Sequence, residues 1–255
     1  MPGRHIDVTM DGAALPSGII VQQVHEDPAT MEILNGDRPG RDGQLVLGIR
    51  RTTRKVAIEC LITEIHNLQT RAQKADALAQ WARGTALAVN YRPTQVLHGH
   101  CTSYPSLTDV RDYTAPLRVE FTADVVPYWE DKTEITRSIS NAKISSISTS
   151  FNSGTVPAPL CVTVKPVSQT LTAFSVTAAG QTISLTDISV STLQTLYIDR
   201  DERDNLRIRR SSTSYMSKRT AESADDLLIT PGDASISITA DQNVNVTFTY
   251  KGRWA

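Results

Sequence analysis

The residues best suited to chemistry in this 255-residue chain are His98, His100 and Cys101, in the run HGHC. On an extended strand alternate side chains share a face, so His98 and His100 could reach one ion while Cys101 points away. A closed zinc-type site needs three or four ligands, and no second histidine or cysteine pair lies nearby. An ordinary histidine pair is the favoured reading, and no metal is expected. The run DRDERDN, Asp199 to Asn205, has the carboxylate density of a calcium loop. Arg203 stands where the third ligand belongs and Asp204 where glycine is required, so the run reads as a charged hairpin turn. Ser140 and Lys143 make an S-x-x-K match in SNAK, but its companion motifs are missing, and no G-x-S-x-G is present. The loop NGDRPGRDG, Asn35 to Gly43, lacks the G-K-[ST] of a phosphate-binding loop. No enzyme reading emerges, and no cofactor is implied.

Charge and aromatic groups offer binding rather than catalysis. Two basic clusters stand out, Arg50, Arg51, Arg54 and Lys55 in RRTTRK, and Arg207 with Arg209 in RIRR, on one strand face opposite Ile208. Such residues protect strand edges, and a subunit interface is the sharper alternative. In VEFTADVVPYWED the alternation of Val119, Phe121, Ala123 and Val125 stops at Pro127, followed by Tyr128 and Trp129. These three either line a binding site or close one domain where the chain leaves for another. Trp254 and Tyr250, near the C-terminus, are the candidates for a sugar-stacking platform.

The elements around these residues are mostly strands. Apolar residues make up 40% and charged residues 21%, with a net charge of −1, so neither disorder, nor a membrane span, nor global attraction to nucleic acid is expected. The opening MPGRHIDVTMDG has no hydrophobic signal core, which favours synthesis and retention in the cytoplasm. Three widely spaced cysteines, Cys60, Cys101 and Cys161, argue against a disulfide framework, and Cys60 reads as a small buried hydrophobe. The alternating runs Leu45-Leu47-Ile49 and Val56-Ile58-Cys60-Ile62 predict a long hairpin from Gln44 to Thr63, turning at the basic cluster. A lone hairpin is marginal in water, so this one needs a packing partner in its own domain or in a neighbouring subunit. One helix is expected from a cap at Asn67 to Gly84, with Leu68, Ala72, Ala75, Leu78, Ala79 and Ala82 as its stripe. The Ser/Thr-rich stretch from Glu130 to Ser153 reads as the crossing into a second domain of short strands. That domain ends in a predicted hairpin, with Ile236 and Ile238 in one arm and Val244, Val246, Phe248 and Tyr250 in the other.

Taken together, RPGRDGQLVLGIRRTTRKVAIECLI, ADALAQWA, VEFTADVVPYWED, NSGTVPAP and ISITADQNVNVTFTYKGRW resemble the distal tail (Dit) proteins of long-tailed bacteriophages, over nearly the whole chain. The resemblance implies a mainly β protein. Residues 1–134 would form a β-sandwich-like ring domain with one α-helix and a long β-hairpin, and residues 135–255 a galectin-like β-sandwich. It implies a hexameric ring that joins the tail tube protein to the tail-tip hub or baseplate and supports receptor-binding proteins. The protein would be assembled in the host bacterial cytoplasm and carried in the virion, with no catalytic residue, membrane or sequence-specific nucleic acid. Pro127, Tyr128 and Trp129 would then close the ring domain. The alternative is a carbohydrate-binding module for host cell-wall sugars.

Overall fold

The computed structural model describes residues 6–37, 44–63, 67–105, 117–152 and 154–255. The protein is mainly β, as expected, and divides into two compact units, Met1–Glu130 with Ala255, and Asp131–Trp254. No helix among the described residues is long and apolar enough to cross a membrane.

The first unit is built from strands β1 (Val8–Met10), β2 (Ala13–Ala14), β3 (Ile19–Glu26), β4 (Met31–Asp37), β5 (Gln44–Arg51) and β6 (Arg54–Ile62), helix α1 (Leu68–Trp81), and strands β7 (Ala86–Val89), β8 (Gln95–His98), β9 (His100–Ser103) and β10 (Leu117–Ala123). A short strand, β11 (Trp129–Asp131), ends it. One sheet runs β2-β1-β7-β8 and on to β11, and another runs β3-β6-β10-β9. β6 is central, and the alternation read in its sequence is real, since Val56, Ile58, Cys60 and Ile62 are fully buried. Across from them Val119 and Phe121 of β10 are equally buried, in the register Val119↔Ile58 and Phe121↔Val56. Val125, assigned to that face, lies beyond the end of β10 and is 52% exposed.

The HGHC run is where the chain changes sheets. His98 ends β8 in the first sheet and His100 begins β9 in the second, so no single strand carries both. Gly99 permits the corner: a Cβ there would stand 2.2 Å from the Thr122 carbonyl oxygen. Both histidines are exposed, and among the described residues no group of three or more His, Cys, Asp or Glu could hold a metal ion.

Helix α1 starts where the capping residue predicts, with Asn67 Oδ1 accepting from the Gln69 and Thr70 amides at 2.9 and 3.4 Å. Its buried positions are Arg71, Ala75 and Leu78, followed by Ala82 at the C-cap, whereas Leu68 is 47% exposed. The inward stripe is therefore rotated from the expected one and includes a buried arginine. Trp81 Nε1 donates to the Ala13 carbonyl at 2.9 Å, and Lys74 donates to that of Ser17, tying the helix to the chain around β2.

The second unit comprises β12 (Ile135–Asn152), β13 (Ala158–Pro159), β14 (Cys161–Pro166), β15 (Phe174–Ala178), β16 (Gln181–Leu185), β17 (Leu196–Arg200), β18 (Leu206–Arg210), β19 (Thr213–Ser214), β20 (Leu228–Ile229), β21 (Gly232–Tyr250) and β22 (Arg253–Trp254). One curled sheet, ordered β16-β15-β21-β14-β17-β18-β19, carries most of it. The stretch read as a Ser/Thr-rich crossing is the 18-residue strand β12, paired along its length with β21. The predicted terminal hairpin is likewise one 19-residue strand. The N-terminal part of β21 pairs with β15, from Ala178↔Ile236 to Phe174↔Ala240, and its C-terminal part with β14, from Pro166↔Val244 to Cys161↔Thr249. One strand thus serves both halves of the sheet, and residues such as Val176, Ile183, Val164, Ile198, Val246 and Phe248 meet in a single core.

Asp241 and Gln242, which in sequence look like turn residues, explain the continuity of β21. The Asp241 carboxylate accepts from the Thr172 amide at 3.0 Å, and Gln242 Oε1 accepts from the Gln169 amide at 2.8 Å. They fix a neighbouring loop instead of reversing their own chain. The true turns are shorter, as at Ala179-Gly180 between β15 and β16, where both residues take positive φ (48° and 78°) as a two-residue hairpin loop requires.

Candidate functional site

The long hairpin exists, but its arms are β4 and β5, not β5 and β6. β4 and β5 form a two-stranded sheet, with Met31 opposite Arg51, Glu32 opposite Arg50 and Ile33 opposite Ile49. Thr52 and Thr53, expected at a turn, stay extended. The Thr30 amide donates to the Thr53 carbonyl at 2.7 Å, and the Thr52 amide to the Thr30 carbonyl at 2.9 Å. β4 and β5 therefore continue the β3–β6 pair outward past the edge of its sheet. The connection from β4 to β5 falls in residues 38–43, outside the described residues, as does most of the loop predicted there.

This extension exposes aliphatic side chains on both faces. Side chains alternate across a strand, so Met31, Ile33 and Ile49 lie on one side, with Arg51 beside Met31, and are 60, 56 and 63% exposed. The irregularity at Leu34/Asn35 turns Leu47, 65% exposed, to the other side, where a Cβ on Gly36 would meet its side chain at 3.0 Å and where Leu34 is 39% exposed. On that side Arg50 Nε also donates to Glu32 Oε2 at 2.7 Å, an exposed ion pair suited to water. Covering one such aliphatic side chain contributes about 1.5–3 kcal/mol, so a surface that buried several of them would gain substantially. Among the described residues β4 and β5 pair only with each other. The sequence reading missed β4. Its signal was the alternation of Met31 and Ile33 against Thr30 and Glu32, a match for Leu47 and Ile49.

The residues expected to close the domain converge at the root of this hairpin. Pro127 is buried, and its carbonyl accepts from Arg54 Nε at 3.2 Å. The Arg51 guanidinium lies over the Tyr128 ring, 5.6 Å from its centre. Trp129 is fully buried and its Nε1 donates to Glu26 Oε2 at 3.1 Å. Glu26, the last residue of β3, also accepts from Tyr91 Oη at 2.6 Å and from Arg92 at 3.1 and 3.2 Å, while the Arg92 guanidinium sits 5.1 Å above the Trp129 ring. Burial, reinforced by the bond to Glu26, raises the Tyr91 phenol and keeps it a donor. Burial lowers the Arg54 guanidinium. Of the first basic cluster, then, Arg51 and Arg54 brace the root from inside the unit, and only Arg50 and Lys55 are exposed. Glu26, Tyr91 and Arg92 escaped the sequence reading because their meeting depends on long-range packing.

In the second unit Arg207 and Arg209 both hold Asp199, with contacts of 2.7–3.1 Å. The sugar platform does not form. Tyr250 is 2% exposed, and Trp254 Nε1 is committed to Asp131 Oδ1 at 2.9 Å. The DRDERDN run is a turn, as read: Asp201 Oδ1 accepts from the Arg203 and Asn205 amides at 2.9 and 2.8 Å.

No protein-family model matches the chain, and no curated protein does. Solved structures do. The crystal structure of SPP1 Dit (gp 19.1), described as a paradigm of hub adsorption apparatus in Gram-positive infecting phages, superposes with a TM-score of 0.67 at 14% identity, covering 96% of this chain and 98% of that one. Chains of the phage P2 baseplate in its activated conformation align at TM-scores of 0.42 with Ca and 0.43 with Sr, at 9% and 8% identity, covering 97% of each chain. The architecture that the sequence motifs resemble is thus the architecture observed: this chain has the Dit fold.

Proposed function

We propose that the protein is a structural component of a phage tail, assembling through its N-terminal domain, residues 1–134, into a hexameric ring. In this reading the ring joins the tail tube to the tail-tip hub or baseplate, and the galectin-like C-terminal domain, residues 135–255, stands around it and supports host-adsorption proteins. The protein would be assembled in the host cytoplasm and act in a siphophage virion, without a catalytic step. The observation that carries the reading is the set of exposed aliphatic side chains, Met31, Ile33 and Ile49 on one face and Leu34 and Leu47 on the other, of a hairpin that projects beyond its own sheet. Exposed apolar surface of this kind marks an interaction site, and in a closed ring each copy both offers a hairpin and receives one. The Dit fold agrees with it. A sugar-binding reading loses its instrument with Tyr250 buried and Trp254 committed to Asp131.

The test is assembly of the full chain and of Leu47→Asp/Ile49→Asp. Light scattering should give a closed oligomer for the native chain and a folded monomer for the variant. Equal assembly by both would remove the hairpin from the interface.

A further inference from the structure

The arginine pair of the second unit has capacity that Asp199 does not use. Arg207 and Arg209, two residues apart on β18, line an open pocket of about 600 Å³ with Ser211, Ser212 and Ser214. Arg207 gives Asp199 its Nε at 2.8 Å and its Nη2 at 3.1 Å. Arg209 gives Nε at 3.0 Å and Nη2 at 2.7 Å, and its Nη1 donates to the Ser211 carbonyl at 3.1 Å. A guanidinium has five N–H donors, so Arg207 Nη1 keeps both of its own and Arg209 Nη1 keeps one. Two cations share the Asp199 carboxylate. Asp201 and Glu202, in the β17–β18 turn, also act on the Arg207 charge, and Asp201 is bound to that turn's own amides.

The pocket is also built with some rigidity. The Arg209 guanidinium is stacked on the Tyr197 ring, 4.5 Å from its centre. Ser211, in the two-residue connection between β18 and β19, holds φ at +51°, a conformation that costs a non-glycine residue energy and recurs where a site must be shaped. That conformation carries the carbonyl that orients Arg209. Ser214, paired with Arg209 across the strands, lines the same pocket, and its Oγ accepts from the Met216 amide at 3.4 Å.

We propose that this pocket is a binding site for a phosphate group, with Arg207 and Arg209 as its charged fork and the hydroxyls of Ser211, Ser212 and Ser214 as its polar rim. Guanidinium forks match tetrahedral oxyanions through paired N–H bonds, which an ammonium cannot reproduce. The serines suit the remaining phosphate oxygens and the hydroxyls of an attached alcohol. The site lies wholly within the second unit and does not depend on ring formation.

The experiment titrates the full chain at low ionic strength with inorganic phosphate, with glycerol 1-phosphate and with a glycerol phosphodiester, following arginine Nε–H resonances by NMR and heat by calorimetry. Saturable binding is expected, with Arg207 and Arg209 Nε–H signals moving and affinity falling as salt rises. Arg209→Lys, which keeps the charge, and Arg207→Ala should each lose at least about tenfold in affinity, the size of effect a lost charge-assisted bond produces. Ser212→Ala, on an exposed turn, should weaken binding with the fold intact and serves if an arginine variant misfolds. Binding of the diester would identify a phosphodiester polymer as the source, and binding of inorganic phosphate and the monoester alone a free phosphate compound. No saturable binding by the native chain, or equal binding by Arg207→Ala/Arg209→Ala, would overturn the site and leave the arginines as ion pairs only.

Discussion

Trp129 sits where burial and hydrogen bonding coincide. Its ring is fully enclosed and its one polar atom is satisfied by Glu26, so shape and polarity can be tested separately. Trp129→Ala should cost about 3–5 kcal/mol through cavity formation. Trp129→Phe, which keeps most of the ring but leaves the Glu26 oxygen without that donor, should cost about 1–3 kcal/mol. Chemical denaturation of both variants measures the split, and a near-zero change for Trp129→Ala would show that the ring is not a core residue. Cys60 gives a second test. Burial pushes its thiol up to about 12, so at pH 8 almost none is thiolate. Iodoacetamide at that pH should leave Cys60 unmodified until the protein is unfolded. In the β17–β18 turn, hydrogen bonds from Asn205 hold the Asp201 carboxyl below its ordinary 3.8. A depressed folded value stabilises the fold above the unfolded one and is lost as pH falls through the folded value. An NMR titration should therefore find Asp201 ionising below 3.8.

Among the elements, what could be read in advance was what local chemistry decides. The buried face of β6, the Asn67 cap and the Asp201 turn all follow from residues within a few positions of one another. The hairpin partner did not. RRTTRK contains none of the residues that close tight turns, and its two β-branched threonines favour extended backbone, so the chain runs on and β5 finds β4 instead. The continuity of β21 was hidden for the converse reason, because Asp241 and Gln242 look like turn formers until the loop they bind is known. The hairpin-root network around Glu26 joins residues such as Tyr91 and Trp129 that are remote in sequence, so no local pattern could announce it. The corner between β8 and β9 gives a prediction of its own. Gly99→Ala places a methyl against the Thr122 carbonyl and should cost about 1–3 kcal/mol, read from thermal or urea unfolding. The projecting hairpin should behave oppositely: Leu47→Asp and Ile49→Asp lie at exposed positions and should alter monomer stability by no more than about 0.5 kcal/mol.

For the molecule as a whole, these two properties of the hairpin belong together. A set of exposed aliphatic side chains that contributes little to its own fold, yet rests on a root braced by Arg51, Arg54, Tyr128 and Trp129, is suited to burial against another chain. The curled sheet of the second unit, with its core closed within itself, offers no comparable cluster of exposed aliphatic side chains among the described residues, only scattered ones such as Ile144 and Leu193. The proposed assembly surface therefore belongs to the first unit. The decisive measurement is the mass of the purified 27.9 kDa chain by light scattering after size exclusion, with negative-stain images of the same fraction. Six copies in a closed ring, reduced to monomers by Leu47→Asp/Ile49→Asp, is the expected result. A native chain that stays monomeric at the highest attainable concentration, with its hairpin still exposed, would contradict the account.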